Sequence, residues 1–262
     1  MQNSAGVKPA ESSKKMLKLL CVTAHPDDEA GSFGGTLLLY RAKNVETHVI
    51  CLTPGQAATH RGNTTSDEEL VSVRRTEFAR SCKALGVSHG EVLDFPDGSL
   101  EILPPSSVAS VLVQRVREIR PQVIITYGGE GAVTAHPDHT MAGVFATLAF
   151  HWAGRTNRFP EQLSNGLAPY RPQKLYYSTA DFFLPDRQPV LLAPPTAVIE
   201  IGDYVQDKVR AFQQHASQAP LFDLFERNVA RRGTKEMFHL VATRDVQQMK
   251  FETDLFEGVV DD

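Results

Sequence analysis

Short apolar runs alternate with segments of helical period through the first 180 residues, and few folds accommodate that rhythm. LKLLCVTA (17–24), THVICLT (47–53), EVLDFP (91–96), QVIITYG (122–128) and KLYYSTA (174–180) are too short for helices and are mostly continuous rather than alternating in polarity. Continuous apolar strands are those buried on both faces. Between them, AGSFGGTLLLYRAK (30–43) suits a helix whose glycines permit close packing on a sheet. In DEELVSVRRTEFARSCKALG (67–86), Leu70, Val73, Phe78, Cys82 and Leu85 fall near helical spacing, and Gly86 suits the position after the C-cap. Ser106 or Ser107 is expected to cap a third helix running through Arg120 and ended by Pro121. A fourth is expected from HPDH to about Ala153. The alternation predicts an α/β fold, a mostly parallel sheet with helices on both faces. From Asp181 the pattern is less regular: a strand in TAVIEIGD, a helix over DYVQDKVRAFQQHASQ and a last strand at EMFHLVAT (236–243), with no linker to set them apart.

The 262 residues, 42% of them hydrophobic, suffice for one well-buried core. Residues 17–262 are therefore read as a single domain. The polar stretch MQNSAGVKPAESSKK is read, through residue 16, as a disordered tail without the apolar core of a signal peptide. No run approaches the roughly 18 apolar residues of a membrane span. A net charge of −4 without a long basic run argues against nucleic acid as a partner. Cys21, Cys51 and Cys82 are odd in number and two of them lie in strand-like runs, so buried reduced thiols in a cytoplasmic protein are expected rather than disulfides.

Two stretches carry the chemistry. TAHPDDE (23–29) ends the first strand with a histidine and three acids, and HPDH (136–139) lies a short glycine-rich loop beyond the fourth. Ligands of parallel α/β sheets bind at the carboxyl ends of strands, so both stretches are expected on one rim. Adjacent carboxylates at a buried strand end are costly unless paired, solvated or bound to a cation. Mixed His and Asp donors suit zinc or another divalent transition metal. H-x-x-D with a distant H-x-x-H offers more donors than the three a catalytic zinc takes, which leaves groups free for proton transfer. Spacing alone does not say which residues are ligands, and the competing reading is a pair of solvated helix caps.

AHPDDE followed by HPDH resembles the LmbE-like, or PIG-L, family of zinc-dependent deacetylases of N-acetylglucosamine compounds. LTPGQAATHRG (52–62), VRRTEFARSCKALG (73–86), LDFPDGSL (93–100) and HASQ (215–218) agree in order and type, so the resemblance spans most of 17–218. It implies a Rossmann-like fold and zinc held by His25, Asp28 and His139. It further implies Asp27 as general base, a protonated His136 that stabilises the oxyanion and can protonate the leaving amine, Asp138 orienting or tuning His136, and Arg74 contacting substrate. The substrate implied is a small N-acetylated amino sugar or its conjugate, and homo-oligomers are common in the family. Gln56 stands where many members have Glu, Ala135 where Gly is usual, and Thr134 where some carry Tyr. These departures bear on substrate rather than metal. A second enzymatic reading, hydration of an unsaturated dicarboxylic acid, is carried by members of the same family; a non-catalytic metal or sugar binder is disfavoured because Asp27 and His136 are both present.

Other residues are weaker candidates. His60 and Gln56 lie in the loop after the second strand and are assigned to substrate binding, as is His215, for which dipole pairing at a helix end is the alternative. Glu29 is read as a first-turn residue of the next helix at least as readily as a direct participant. Asp97 in FPDG is preferred as a turn residue before Gly98.

Overall fold

The computed structural model describes residues 16–184, 190–246, 248 and 250–261; residues 1–15 of the tail expected at 1–16 lie outside them. The expected rhythm is present. Strand β1 (Lys18–Thr23) leads to α1 (Asp28–Ala42), β2 (Glu46–Cys51), α2 (Asp67–Leu85), β3 (His89–Val92), α3 (Pro105–Ile119), β4 (Val123–Tyr127) and α4 (Pro137–Trp152). A short α5 (Pro160–Ser164) precedes β5 (Lys174–Thr179). Then come β6 (Ala197–Glu200), α6 (Val205–Phe212), α7 (Phe222–Arg232) and β7 (Lys235–Thr243). The strands form one mixed sheet in the order β3-β2-β1-β4-β5-β7-β6. The first five run parallel, and β7 is antiparallel to both neighbours.

Helix α1 packs with α2 and α6, and α3 packs with α4, so the sheet is covered on both faces. This is why β1 and β4 lack alternation: Leu19, Leu20, Cys21, Val123, Ile124 and Ile125 are all buried. The three cysteines are buried and unpaired, as expected. No helix among the described residues is long and apolar enough to cross a membrane.

Several details differ from the sequence reading. Helix α3 starts at Pro105, with Pro104 at the cap and no side-chain cap; Ser107 instead donates its hydroxyl to the Pro104 carbonyl. Proline at the first helical position needs no amide partner, so it pre-empts the serine caps. The helix expected through HASQ ends at Phe212, and Ala216–Leu221 forms a 3-10 turn containing Pro220. Helix α7 was not anticipated, and β7 enters between β5 and β6 rather than extending the edge in chain order.

What positions the site is the strand order. The chain moves outward from β1 through β2 and β3, then returns to place β4 on the other side of β1. The loops leaving β1 and β4 therefore part at a switch point, where α/β sheets open a crevice. Helix α4 approaches β4 closely there. A Cβ on Gly143 would lie 2.2 Å from the Tyr127 carbonyl oxygen, while the Tyr127 ring stacks on His139 with centroids 4.2 Å apart and planes 7° apart. Gly143→Ala should push α4 from the sheet, lowering stability by about 1–3 kcal/mol as overpacking does. Urea unfolding reads this, and an unchanged midpoint would show that the approach is not tight.

Candidate metal centre and active site

The loop between β1 and α1 is built by its own carboxylates. Asp27 adopts a positive φ of 116°, costly for a residue with a Cβ. Its backbone N–H donates to Glu29 Oε2 at 3.0 Å, which holds the turn. Asp28 opens α1, and its Oδ2 accepts the backbone N–H groups of Ala24 and His25 at 3.1 and 2.8 Å. Asp28 Oδ1 lies 3.1 Å from His139 Nε2, and Oδ2 lies 3.6 Å from His25 Nδ1. One carboxylate thus stands between the histidines of the two motifs, and His139 holds its pKa well below the usual range despite burial.

The second motif is set by α4. His136 caps the helix: its Nδ1 accepts the Asp138 backbone N–H at 3.1 Å. Pro137, Asp138 and His139 fill the first turn. The loop before it needs Gly131, whose φ is +76° and where a Cβ would meet the His136 carbonyl oxygen at 2.5 Å. Ala135 also sits at positive φ, 51°, where glycine would be easier. Thr134 Oγ1 lies 3.2 Å from the Gly131 carbonyl, to which it donates, and 3.3 Å from His139 Nδ1. A hydroxyl donating to a carbonyl accepts from the imidazole, so Nδ1 carries the hydrogen and Nε2 presents its lone pair towards Asp28.

His25 is oriented the same way by different partners. Its Nε2 lies 3.0 Å from Asp97 Oδ1 and 3.2 Å from Asp138 Oδ2. Burial opposes its protonation, but the hydrogen bonds to Asp138 and Asp97 prevail and hold its pKa up to about 10. With Nε2–H donated to carboxylates, Nδ1 faces Asp28, the arrangement of a carboxylate–histidine–metal relay. The nitrogens of His25, His136 and His139 also lie within 4.8 Å of one another. Asp28, Asp97 and Asp138 are buried side chains, and none forms an ion pair with a Lys or Arg among the described residues. Without a cation the protonated His25 is the charge these acids face, and the imidazole and carboxylate donors suit a divalent transition metal in its place.

Asp27 points elsewhere. Its Oδ2 pairs with Arg74 Nη2 at 3.0 Å, and Arg74 also donates to the Pro26 and Gly55 carbonyls. Burial raises the Asp27 pKa to about 6 against the guanidinium's pull.

Of the expected site residues, the structure gathers His25, Asp27, Asp28, His136, Asp138 and His139 on one rim. The expected orientation of His136 by the Asp138 carboxylate is not seen. That carboxylate accepts the Gly98 and Leu100 backbone N–H groups and meets His25, so Asp138 touches His136 only through its own backbone N–H. Arg74 is 3% exposed and is occupied by Asp27 and two carbonyls rather than open to a ligand. His215 is fully enclosed, with Nε2 2.7 Å from Glu29 Oε1, so it supports the first loop from behind instead of walling the cleft. Gln56 and His60 are half-buried; Gln56 Oε1 has no partner among the described residues, and the His60 carbonyl accepts from Gln218.

Asp97 is the residue the sequence reading undervalued. It does lie in a turn, yet its carboxylate also reaches His25 and accepts the Ala57 N–H. Its position after β3, on the rim where the β1 and β2 loops also end, was the available signal. Glu29 is the second: it joins Ser81 at 2.5 Å, His215 and the Asp27 backbone. His215→Ala should strand this buried carboxylate and cost about 3–5 kcal/mol. A urea midpoint equal to that of the parent would remove His215 from the support of this loop.

Residues 20–150, half of the chain, match the family described as PIG-L: GlcNAc-PI de-N-acetylase. The chain is 31% identical over 212 residues to the diacetylchitobiose deacetylase of Thermococcus kodakarensis, covering 80% of this chain and 73% of that one. The structure resembles the N,N'-diacetylchitobiose deacetylase from Pyrococcus horikoshii, with a TM-score of 0.73 at 24% identity over 86% of this chain and 83% of that one. It also resembles GalB, the 4-carboxy-2-hydroxymuconate hydratase of Pseudomonas putida, with a TM-score of 0.68 at 20% identity over 89% and 99%.

Proposed function

Because the chain belongs to the PIG-L family of de-N-acetylases, we propose that it is a metal-dependent hydrolase that removes the N-acetyl group from an amino sugar or its conjugate. The observation that carries this reading is the Asp28 carboxylate between His139 Nε2 and His25 Nδ1, with Asp27 held beside it by Arg74. His25, Asp28 and His139 would hold the cation, zinc being the ion these donors suit best. When bound, a divalent cation acidifies water towards neutral pH and polarises an amide carbonyl.

The proton transfers fall to the chain's own residues. Asp27 sits next to a ligand but is drawn away by Arg74, so its carboxylate remains available as a base. With its pKa raised to about 6 it is mostly ionised near pH 7 and takes the proton that water loses on attacking the amide carbon. His136 has its pKa held below the ordinary histidine value by burial and by His25 and His139. With Nδ1 accepting a backbone N–H, it is a neutral imidazole carrying hydrogen on Nε2. This differs from the protonated form the resemblance implies. A neutral Nε2–H donates a hydrogen bond to the developing oxyanion but is a poor source of a proton. The proton for the leaving nitrogen therefore comes back from Asp27: the C–N bond breaks, the amine takes that proton, and acetate and the free amino sugar leave.

The likeness to a hydratase, at 20% identity, concerns the fold, and no contact in the site favours hydration. Acetate release from N-acetylglucosamine conjugates separates the readings, since a hydratase releases none. We expect about one divalent metal per chain by elemental analysis and acetate release that stops on chelation and returns with zinc; metal without acetate from any conjugate would overturn the deacetylase reading. Asp27→Asn should retain the metal and lose turnover, and loss of metal instead would make Asp27 a ligand. His136→Ala should lower kcat by about 10²–10³-fold, the usual loss of an oxyanion donor, with an unchanged rate removing it from the reaction.

A further inference from the structure

The cleft that holds Asp27, Asp28, Thr134 and His139 has a second wall contributed by the C-terminal part of the chain. Phe225, Asn228, Val229 and Arg232 of α7 line it, at positions one helical face presents together. Phe225 stacks on Phe212 with centroids 3.9 Å apart, which fixes the helix against α6. The Arg232 guanidinium lies 5.6 Å from the centre of the Phe182 ring, which lines the same cleft.

Arg232 has no carboxylate or carbonyl partner among the described residues. Glu236, four residues on in β7, acts on Arg232 only at a distance and is already filled: it accepts the Gly35 and Thr36 backbone N–H groups and pairs with Lys208 Nζ at 2.5 Å. One turn back on the same face, Asn228 Oδ1 is buried without a partner among the described residues; as an acceptor it suits a hydroxyl of the sugar rather than an anion. Burial draws the Arg232 pKa below its usual value, as removal from water does to a cation. An arginine half withdrawn from water and left unpaired is costly, and its five donors in a planar fork match a carboxylate or phosphate. The Phe182, Phe212 and Phe225 rings beside it offer apolar contact but no counter-charge.

Resting on the deacetylase reading, we infer that Arg232 forms a subsite for an anionic group on the aglycone of the substrate, so that the enzyme prefers an acidic conjugate of the N-acetylated amino sugar to a neutral one. The reacting amide lies at the Asp27–His139 side of the cleft, and the anion at the α7 side. Arg232 is then a specificity-determining residue that meets substrate away from the reacting bond.

The test compares acetate release from two N-acetylglucosaminides of equal size, one with an aglycone ending in a carboxylate and the other in the corresponding carboxamide. The metal-loaded enzyme should favour the carboxylate by about 10- to 100-fold in kcat/KM, the scale of a charge-assisted hydrogen bond, with the difference mainly in KM. Arg232→Gln should bring the two within about twofold, and Arg232→Lys should restore part of the preference. Thermal midpoint and metal content, measured on each variant, show that it is folded and loaded. Equal rates on the two compounds with the parent enzyme, or a preference that survives Arg232→Gln, overturns the subsite and leaves the deacetylase reading intact. Acetate from neither compound, with metal bound, overturns both.

Discussion

The Asp28 carboxylate is the point on which the site turns. It opens α1, anchors the loop after β1 through two backbone N–H groups, and faces a histidine from each motif. It can do so only because β4 lies directly beside β1 in the sheet. With Asp97 and Asp138 behind His25, the neighbourhood holds more negative charge than the side chains around it neutralise. A buried excess of this kind is unstable unless a proton or a cation enters, and the direction of the His25 pKa expresses the same demand.

Around this centre the fold supplies rigid supports rather than further donors. Asp97 and Asp138 fix the His25 ring through Nε2, and Thr134 faces Nδ1 of His139 while Tyr127 covers its ring. Glu29, clamped by Ser81 and His215, sustains the positive φ of Asp27, and Arg74 sets the direction of its side chain. Each lone pair or hydrogen at the centre therefore has one preferred direction. Such preorganisation is what a hydrolase needs from its scaffold, because groups that are already aligned cost no rearrangement during reaction.

The division between the two halves of the chain follows the same logic. The segment through α4 builds the candidate metal centre and belongs to the part that matches the family. The later segment contributes β5 to the parallel sheet, then β6 and β7, and α6 and α7, whose faces close over the cleft. Chemistry and cleft wall thus come largely from different stretches, although His215 of the later segment supports the first loop through Glu29.

The sequence by itself determined the layered fold and the two motifs. Continuous apolar runs mark buried parallel strands, and AHPDDE and HPDH beyond β1 and β4 announced a site because acids at a buried strand end need a cation. Local signals of that kind survive in one dimension. Only the tertiary structure decided which imidazole nitrogen faces which carboxylate, that the Asp138 carboxylate bonds His25 and acts on His136 only at a distance, that Asp97 joins the site, and that His215 stands behind Glu29. Those partners are separated by 40 to 186 positions in several cases. Their meeting depends on strand order and loop geometry, and no spacing within a single segment encodes either. The same holds for Arg232: its helical face can be counted along the chain, but that no carboxylate among the described residues pairs with it is decided only once α7 is folded against the cleft.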